Sequence, residues 1–212
     1  MKMKNTLKRF ISFKSNFASF TVVGVGPGDP ELLTFSAVAA IKKAKVIFFP
    51  ISSDDKKSFA EDIVKEHIKF KKKIPIIFPM ARKEFDPEAI WSNAVEKIVQ
   101  FIKNEQSVVL LCLGDTSLFA SSSNILGIIK KNHPEIITNT IPGISSLSAA
   151  AALNDFDLVK KGETLIIKEC PSSNSELSSL ISESRGHKNV LAIMKIGKRW
   201  NLVREILKKE DI

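Results

Sequence analysis

The run Gly24-Val25-Gly26-Pro27-Gly28-Asp29-Pro30 directly follows the apolar stretch Phe20-Thr21-Val22-Val23, which puts a glycine-rich turn at the carboxyl end of an expected strand. A backbone without side chains can approach a ligand closely, and glycine takes the positive φ that a tight turn often needs. The chemistry suggested is the holding of a small, nucleotide-like molecule. Cradling a pyrophosphate is disfavoured, because G-x-G-x-x-G would need glycine where Asp29 stands, and Pro27 and Pro30 each remove an N–H donor. On this run alone, a structural turn before a helix is an equal reading.

Two further junctions have the same grammar. Leu113-Gly114-Asp115-Thr116-Ser117-Leu118 follows the apolar run 108–112, so a glycine and a carboxylate emerge at another strand end. An acid there can hold a cation by hydrogen bond or by its field, while an Asx-turn or helix cap is the plainer reading of the motif taken singly. Ile141-Pro142-Gly143-Ile144-Ser145-Ser146 is the third, with hydroxyls at a helix N-terminus, where ordinary capping explains them equally well. Ser121-Ser122-Ser123 reads as loop and cap, since no histidine or acid stands at a hydrolase spacing. Lys71-Lys72-Lys73 reads as a solvated loop rather than a phosphate patch.

These turns need elements to position them. Short β-branched or aromatic runs at 21–24, 46–49, 74–78, 108–113 and 136–141 predict strands. Between them, Thr34 caps a helix reaching Lys43, Asp86 caps one from Pro87 to Lys103, and Ser123 or Asn124 starts a shorter one ending at Lys131. Strands separated by helices imply a mostly parallel sheet with helices on its faces and ligands at the strand ends. Beyond Pro142-Gly143, helix 145–153, strand 164–168, helix 175–184, strand 189–194 and helix 198–209 predict a second α/β domain with few strands. The expected division is a basic extension over 1–19, an N-terminal α/β domain over 20–140 and a C-terminal α/β domain over 141–212.

Bulk composition bounds the class. With 212 residues and 44% hydrophobic content, the chain can bury one large core or two modest ones. No apolar stretch reaches the ~18 residues of a membrane span, so a soluble protein without a membrane partner is expected. Cys112 and Cys170 lie far apart and match no metal-ligand spacing with His67, His133 or His187, so no metal is expected and the thiols suit a reducing, cytoplasmic setting. Of the net charge of +9, five cations (Lys2, Lys4, Lys8, Arg9 and Lys14) fall in the acid-free first 20 residues. The remainder is only mildly basic, which by itself suits an anionic small molecule and a nonspecific attraction to nucleic acid equally; a nucleic-acid partner becomes the unlikely one only with the motif resemblance below.

Taken together, the three junctions resemble the tetrapyrrole methylase family, the S-adenosylmethionine-dependent enzymes of cobalamin and sirohaem synthesis. The resemblance runs from about Phe20 to the end. Its detail is similar to the branch that methylates carbon 20 of precorrin-2: GVGPGDPELLTFSAVAAIKKAKVIFFP, FPMAR (78–82), LGDTSLF (113–119), IPGISSLSAAAA (141–152), Gly162-Glu163 and MKIGKRW (194–200). The resemblance implies two α/β domains with the cofactor cleft between them, usually in a homodimer, and S-adenosylmethionine as methyl donor. It implies cofactor-binding roles for Pro27, Leu113, Gly114, Asp115, Leu118, Ser145, Ser146 and Met194. Physically, glycine admits the backbone, Asp115 answers a positive amino or sulfonium end, and Met194 lies against a purine, although core packing explains a strand-end methionine equally well. Arg82, Lys195 and Arg199 are candidate partners for the tetrapyrrole's carboxylates, against the commoner fate of a surface cation, plain solvation. No catalytic acid or base is identified.

Two departures stand out. Thr116 occupies the position where the family usually carries proline in G-D-P, and the chain ends at Ile212, short of the family's usual closing strands, so the second domain is expected to be truncated. The function implied is methyl transfer to carbon 20 of precorrin-2 or cobalt-factor II. The rivals are another tetrapyrrole or ribosomal RNA methylase of the same fold, and a noncatalytic cofactor-binding remnant.

Overall fold

Near-continuous burial along 19–24, 46–51 and 108–112 marks a sheet covered on both faces. A computed structural model describes residues 18–52, 57–78, 86–185 and 188–211, and the chain forms two compact units divided between Ile144 and Ser145. In the first unit, β1 (Ser19–Gly24), β2 (Val46–Ile51), β3 (Lys72–Ile77), β4 (Val108–Cys112) and β5 (Ile137–Ile141) form a sheet of order β3-β2-β4-β1-β5. Every pairing is parallel, with Val22 opposite both Leu110 and Thr140. Connecting such strands are α1 (Phe35–Lys43), α2 (Phe59–Val64), α3 (Pro87–Lys103) and α4 (Ser122–Asn132).

Because strand side chains alternate between faces, successive residues of β1, β2 and β4 enter two separate cores. Val23, Ile47, Phe49, Val109 and Leu111 pack with Ala37 and Ile41 of α1 and Ile63 of α2. Phe20, Val22, Phe48, Val108 and Leu110 pack with Val95 and Ile98 of α3 and Ile125 and Ile129 of α4. All five residues of β4 are buried, as expected of a strand covered on both faces. The chain thus leaves β1 toward one face and β4, its neighbour, toward the other, the arrangement in which open α/β sheets commonly take ligands outside the strands' carboxyl ends.

Two predicted helices have the expected bounds: Thr34 caps Ala37 N–H at 3.1 Å for α1, and Asp86 caps Glu88 N–H at 2.9 Å for α3. The third differs, because α4 begins at Ser122, within the serine run, after an N-cap residue, Ser121, that makes no capping bond. The lysine triplet is not a free loop. Lys72 and Lys73 open β3, Lys73 pairs with Glu61 at 2.9 Å, and Lys72 lies 4.7 Å from the Phe101 ring centre. Lys71 Nζ donates to the carbonyls of Lys42 and Ala44 at 2.8 and 2.6 Å, closing the end of α1.

The second unit contains α5 (Ser146–Leu153), β6 (Thr164–Glu169), α6 (Asn174–Ser184), β7 (Asn189–Met194) and α7 (Trp200–Lys209). β6 and β7 pair in parallel, Leu165 opposite Val190. Its core is small: Cys170, Leu177, Ile181, Val203 and Ile206, with Leu191 and Ile193 against them. An apolar groove of about 710 Å³ is lined by Ile181, Leu191, Ile193, Trp200, Val203 and Leu207 among others, and none of the described sequence-predicted site residues lines it. No described helix is long and apolar enough to cross a membrane.

Candidate functional site: strand-end turns

The β1–β4 ladder does not stop at the strand ends. Val25 N–H donates to Cys112 O at 2.9 Å, and Gly26 and Gly114 then exchange two bonds, 3.2 Å from Gly26 N to Gly114 O and 2.8 Å in return. Both glycines sit at positive φ, 79° and 74°, a conformation that costs most other residues about 1 kcal/mol or more. The first two turns are therefore joined through backbone alone.

The turn after β5 meets them by close approach. A Cβ on Gly143 would stand 2.2 Å from Gly114 O and 2.8 Å from Gly24 C, and one on Gly24 would stand 2.5 Å from Gly143 N. No side chain fits on either residue without backbone movement. On the other side the backbone is open, since a Cβ on Gly28 or Gly114 would meet nothing within 4 Å. Three turns thus pack on one another through glycine while two of them present bare backbone outward.

Asp115 fastens the arrangement. Its Oδ1 accepts from Ser117 N–H at 2.8 Å and from the Ser117 hydroxyl, and its Oδ2 accepts from Gly143 N–H at 3.0 Å. Burial alone would push this carboxyl up, but the bonds from Ser117, Gly143 and Thr116 outweigh it and hold the group below its ordinary value of 3.8. Asp115 is an anion at neutral pH. Behind it, burial pushes the Cys112 thiol up, with the Asp115 charge acting in the same direction, so that thiol stays protonated and is wall rather than nucleophile.

Of the predicted residues, Pro27, Leu113, Gly114, Asp115 and Leu118 lie on the first two turns; Leu113 is 47% exposed and Pro27 half-buried. Asp29 caps the short turn Pro30–Leu32 through Glu31 N–H at 2.8 Å. Ser145 and Ser146 belong to the second unit, where Ser145 caps α5 by accepting from Ser148 N–H at 3.2 Å. Met194 ends β7, half-buried, its carbonyl accepting from Cys170 N–H at 2.8 Å. Lys195 follows at φ 55° and pairs with Glu169 at 3.8 Å. Arg82 lies outside the described residues.

Arg199 has a role that spacing did not announce. Its guanidinium donates to the carbonyls of Cys170 at 2.6 Å, Pro171 at 2.8 Å and Lys195 at 3.1 Å, which ties the turn after β6 to the turn after β7. Sequence reasoning also missed the mutual packing of Gly24 and Gly143 and the part of Ser117, whose only local signal was its place two residues after an aspartate. Among the described residues, no group of three or more His, Cys, Asp or Glu is placed to hold a metal ion.

Comparison with known proteins agrees with this architecture. The family model for Tetrapyrrole (Corrin/Porphyrin) Methylases matches residues 19–212. A Methanocaldococcus jannaschii protein named "Probable cobalt-precorrin-2 C(20)-methyltransferase" is 35% identical over 145 residues, covering 68% of this chain and 61% of the relative. The Salmonella typhimurium cobalt-precorrin-2 C(20)-methyltransferase is 23% identical over 186 residues, 87% of this chain and 76% of its own. This chain thus spans less than two thirds of the Methanocaldococcus protein. In fold, the crystal structure of the cobalt precorrin-4 methyltransferase CbiF superposes with a TM-score of 0.66 at 17% identity, over 91% of this chain and 75% of that one. On the family match, the chain belongs to the tetrapyrrole (corrin/porphyrin) methylases.

Proposed function

We propose that this chain transfers the methyl group of S-adenosylmethionine to carbon 20 of precorrin-2 or of its cobalt-bearing counterpart. The observation that carries the reading is the meeting of three glycine turns at one sheet end, with open backbone at Gly28 and Gly114. The names of the Methanocaldococcus and Salmonella relatives supply the substrate.

The donor, when bound, supplies a methyl group already activated by its sulfonium. The residues present suit such a guest. Open space beside Gly28 and Gly114 admits close backbone approach, and Asp115 is an anion beside it. A carboxylate about 4 Å from a unit positive charge contributes on the order of 4 kcal/mol at an effective dielectric of about 20. Leu113 and Leu118 offer apolar surface to a nucleoside and displace water. Ser145, Ser146 and Met194 enter the proposal on the family resemblance alone, as do a homodimeric state, a cytoplasmic setting and substrate contacts from Arg82, Lys195 and Arg199.

Binding and orientation are the main tasks of the chain, because the electron-rich macrocycle provides the attacking carbon. Holding that carbon, the methyl carbon and sulfur in line removes up to about 7–11 kcal/mol of barrier at the extreme. Incubation of the purified protein with methyl-labelled S-adenosylmethionine and each tetrapyrrole, read by mass spectrometry, tests the proposal. One added labelled methyl on either macrocycle is expected. Unmodified macrocycles under conditions where the donor binds would overturn it and favour a noncatalytic binder.

A further inference from the structure

Resting on that reading, we infer that Asp115 is a positioning residue: its carboxylate clasps the turn after β5 to the turn after β4 through Gly143 N–H, and so sets the affinity of these turns for the donor.

The geometry is specific. Asp115 and Gly143 lie 28 residues apart, yet Gly143 N–H donates to Asp115 Oδ2 at 3.0 Å. The other oxygen is held by the N–H and hydroxyl of Ser117, which fixes the rotation of the carboxylate. The N–H and hydroxyl of Ser117 and the Gly143 N–H thus converge on a group with about four lone-pair sites. An ionised acceptor makes each of these bonds about twice as strong as a neutral one would be.

What the clasp holds has no slack. Gly143 abuts Gly24 and Gly114 so closely that any Cβ would overlap backbone, and these contacts consist of dispersion and exclusion, which oppose compression but resist separation weakly. Beyond the β1–β5 ladder, which reaches Ile141, the Asp115 bond adds a directional restraint against opening. A pocket that must first draw its third turn inward binds its ligand more weakly by the fraction of time it is closed.

The test is amide hydrogen exchange on the full chain without ligand, followed by calorimetric titration with S-adenosylmethionine. In Asp115→Ala, exchange at Gly143 should quicken about tenfold or more while β1 and β4 amides stay protected, and the donor Kd should rise about tenfold. In methyl-transfer assays KM for the donor should rise more than kcat falls. Asp115→Asn should recover part of both effects, because an amide oxygen can meet one of the N–H donors but not both. Ser117→Ala, which loses only the hydroxyl, should change Gly143 exchange less than either. Unchanged Gly143 exchange in Asp115→Ala, or, should that variant not fold, in Asp115→Leu, which keeps the side chain's outline and has no acceptor, would overturn the clasp. If the unsubstituted protein fails to bind S-adenosylmethionine, the donor reading falls and with it the affinity role assigned to Asp115, whereas a quickened Gly143 amide would still locate the bond.

Discussion

The two units fasten their strand-end turns with opposite charges on very different foundations. In the first, the anion Asp115 gathers backbone N–H groups above a sheet whose central strands are buried on both faces. In the second, the cation Arg199 gathers three backbone carbonyls above a two-stranded sheet in which Ala192 alone is buried. The chemistry is complementary, since strand-end turns leave donors in one place and acceptors in another. The difference teaches that side-chain fastening refines a site only as far as the platform beneath it is fixed. The first unit couples its fastener to a glycine contact with no spare volume, and the second to a small, one-core scaffold.

The largest expected effect breaks the contact on which the first platform depends. Gly143→Ala puts a methyl 2.2 Å from Gly114 O, so denaturant unfolding should show a loss at or beyond the upper end of about 1–3 kcal/mol. A loss below about 0.5 kcal/mol would mean the turns are not in contact. Of comparable size, Leu110→Ala in the fully buried sheet should cost about 2–5 kcal/mol, and Leu191→Ala in the half-buried one distinctly less. Equal losses would erase the contrast between the sheets.

Arg199→Ala removes charge-assisted bonds to three carbonyls. A loss of about 2 kcal/mol is expected, given roughly 1.5–3 kcal/mol for a hydrogen bond to a charged group. Arg199→Lys should recover only part of it, because an ammonium cannot reproduce the planar fork. Full recovery would show that charge alone matters there.

The smallest effect is one of pH. Asp115 has its carboxyl lowered on folding, so its contribution to stability is full above the ordinary value of 3.8 and is lost as pH falls through the lower folded value. Acid unfolding of Asp115→Asn should accordingly be less steep in that range than that of the parent chain. An identical acid profile would detach the carboxylate's charge from folding.

Much of this architecture was legible because its signals are local. Asp86-Pro87 and Thr34 mark helix starts by capping chemistry, and α1 and α3 begin where those residues direct. Three consecutive serines offered equivalent starts, so the beginning of α4 was ambiguous. Lys72 and Lys73 concealed the opening of edge strand β3, where exposure tolerates charge. Helix α2, only six residues long, was too short to announce itself by periodicity. The site was legible as three glycine turns. That Asp115 reaches Gly143, or that Arg199 turns inward to carbonyls, depends on strand order and register, which local spacing does not encode.

The central claim is that the turns after β1 and β4 receive S-adenosylmethionine. The most direct measurement is titration of the full chain with this donor at neutral pH, by calorimetry together with backbone amide spectra. The account predicts one donor per chain with micromolar affinity and shifts concentrated at Gly26, Gly28, Gly114 and Asp115. Absence of binding at millimolar donor, or binding that leaves those amides unmoved, would contradict it.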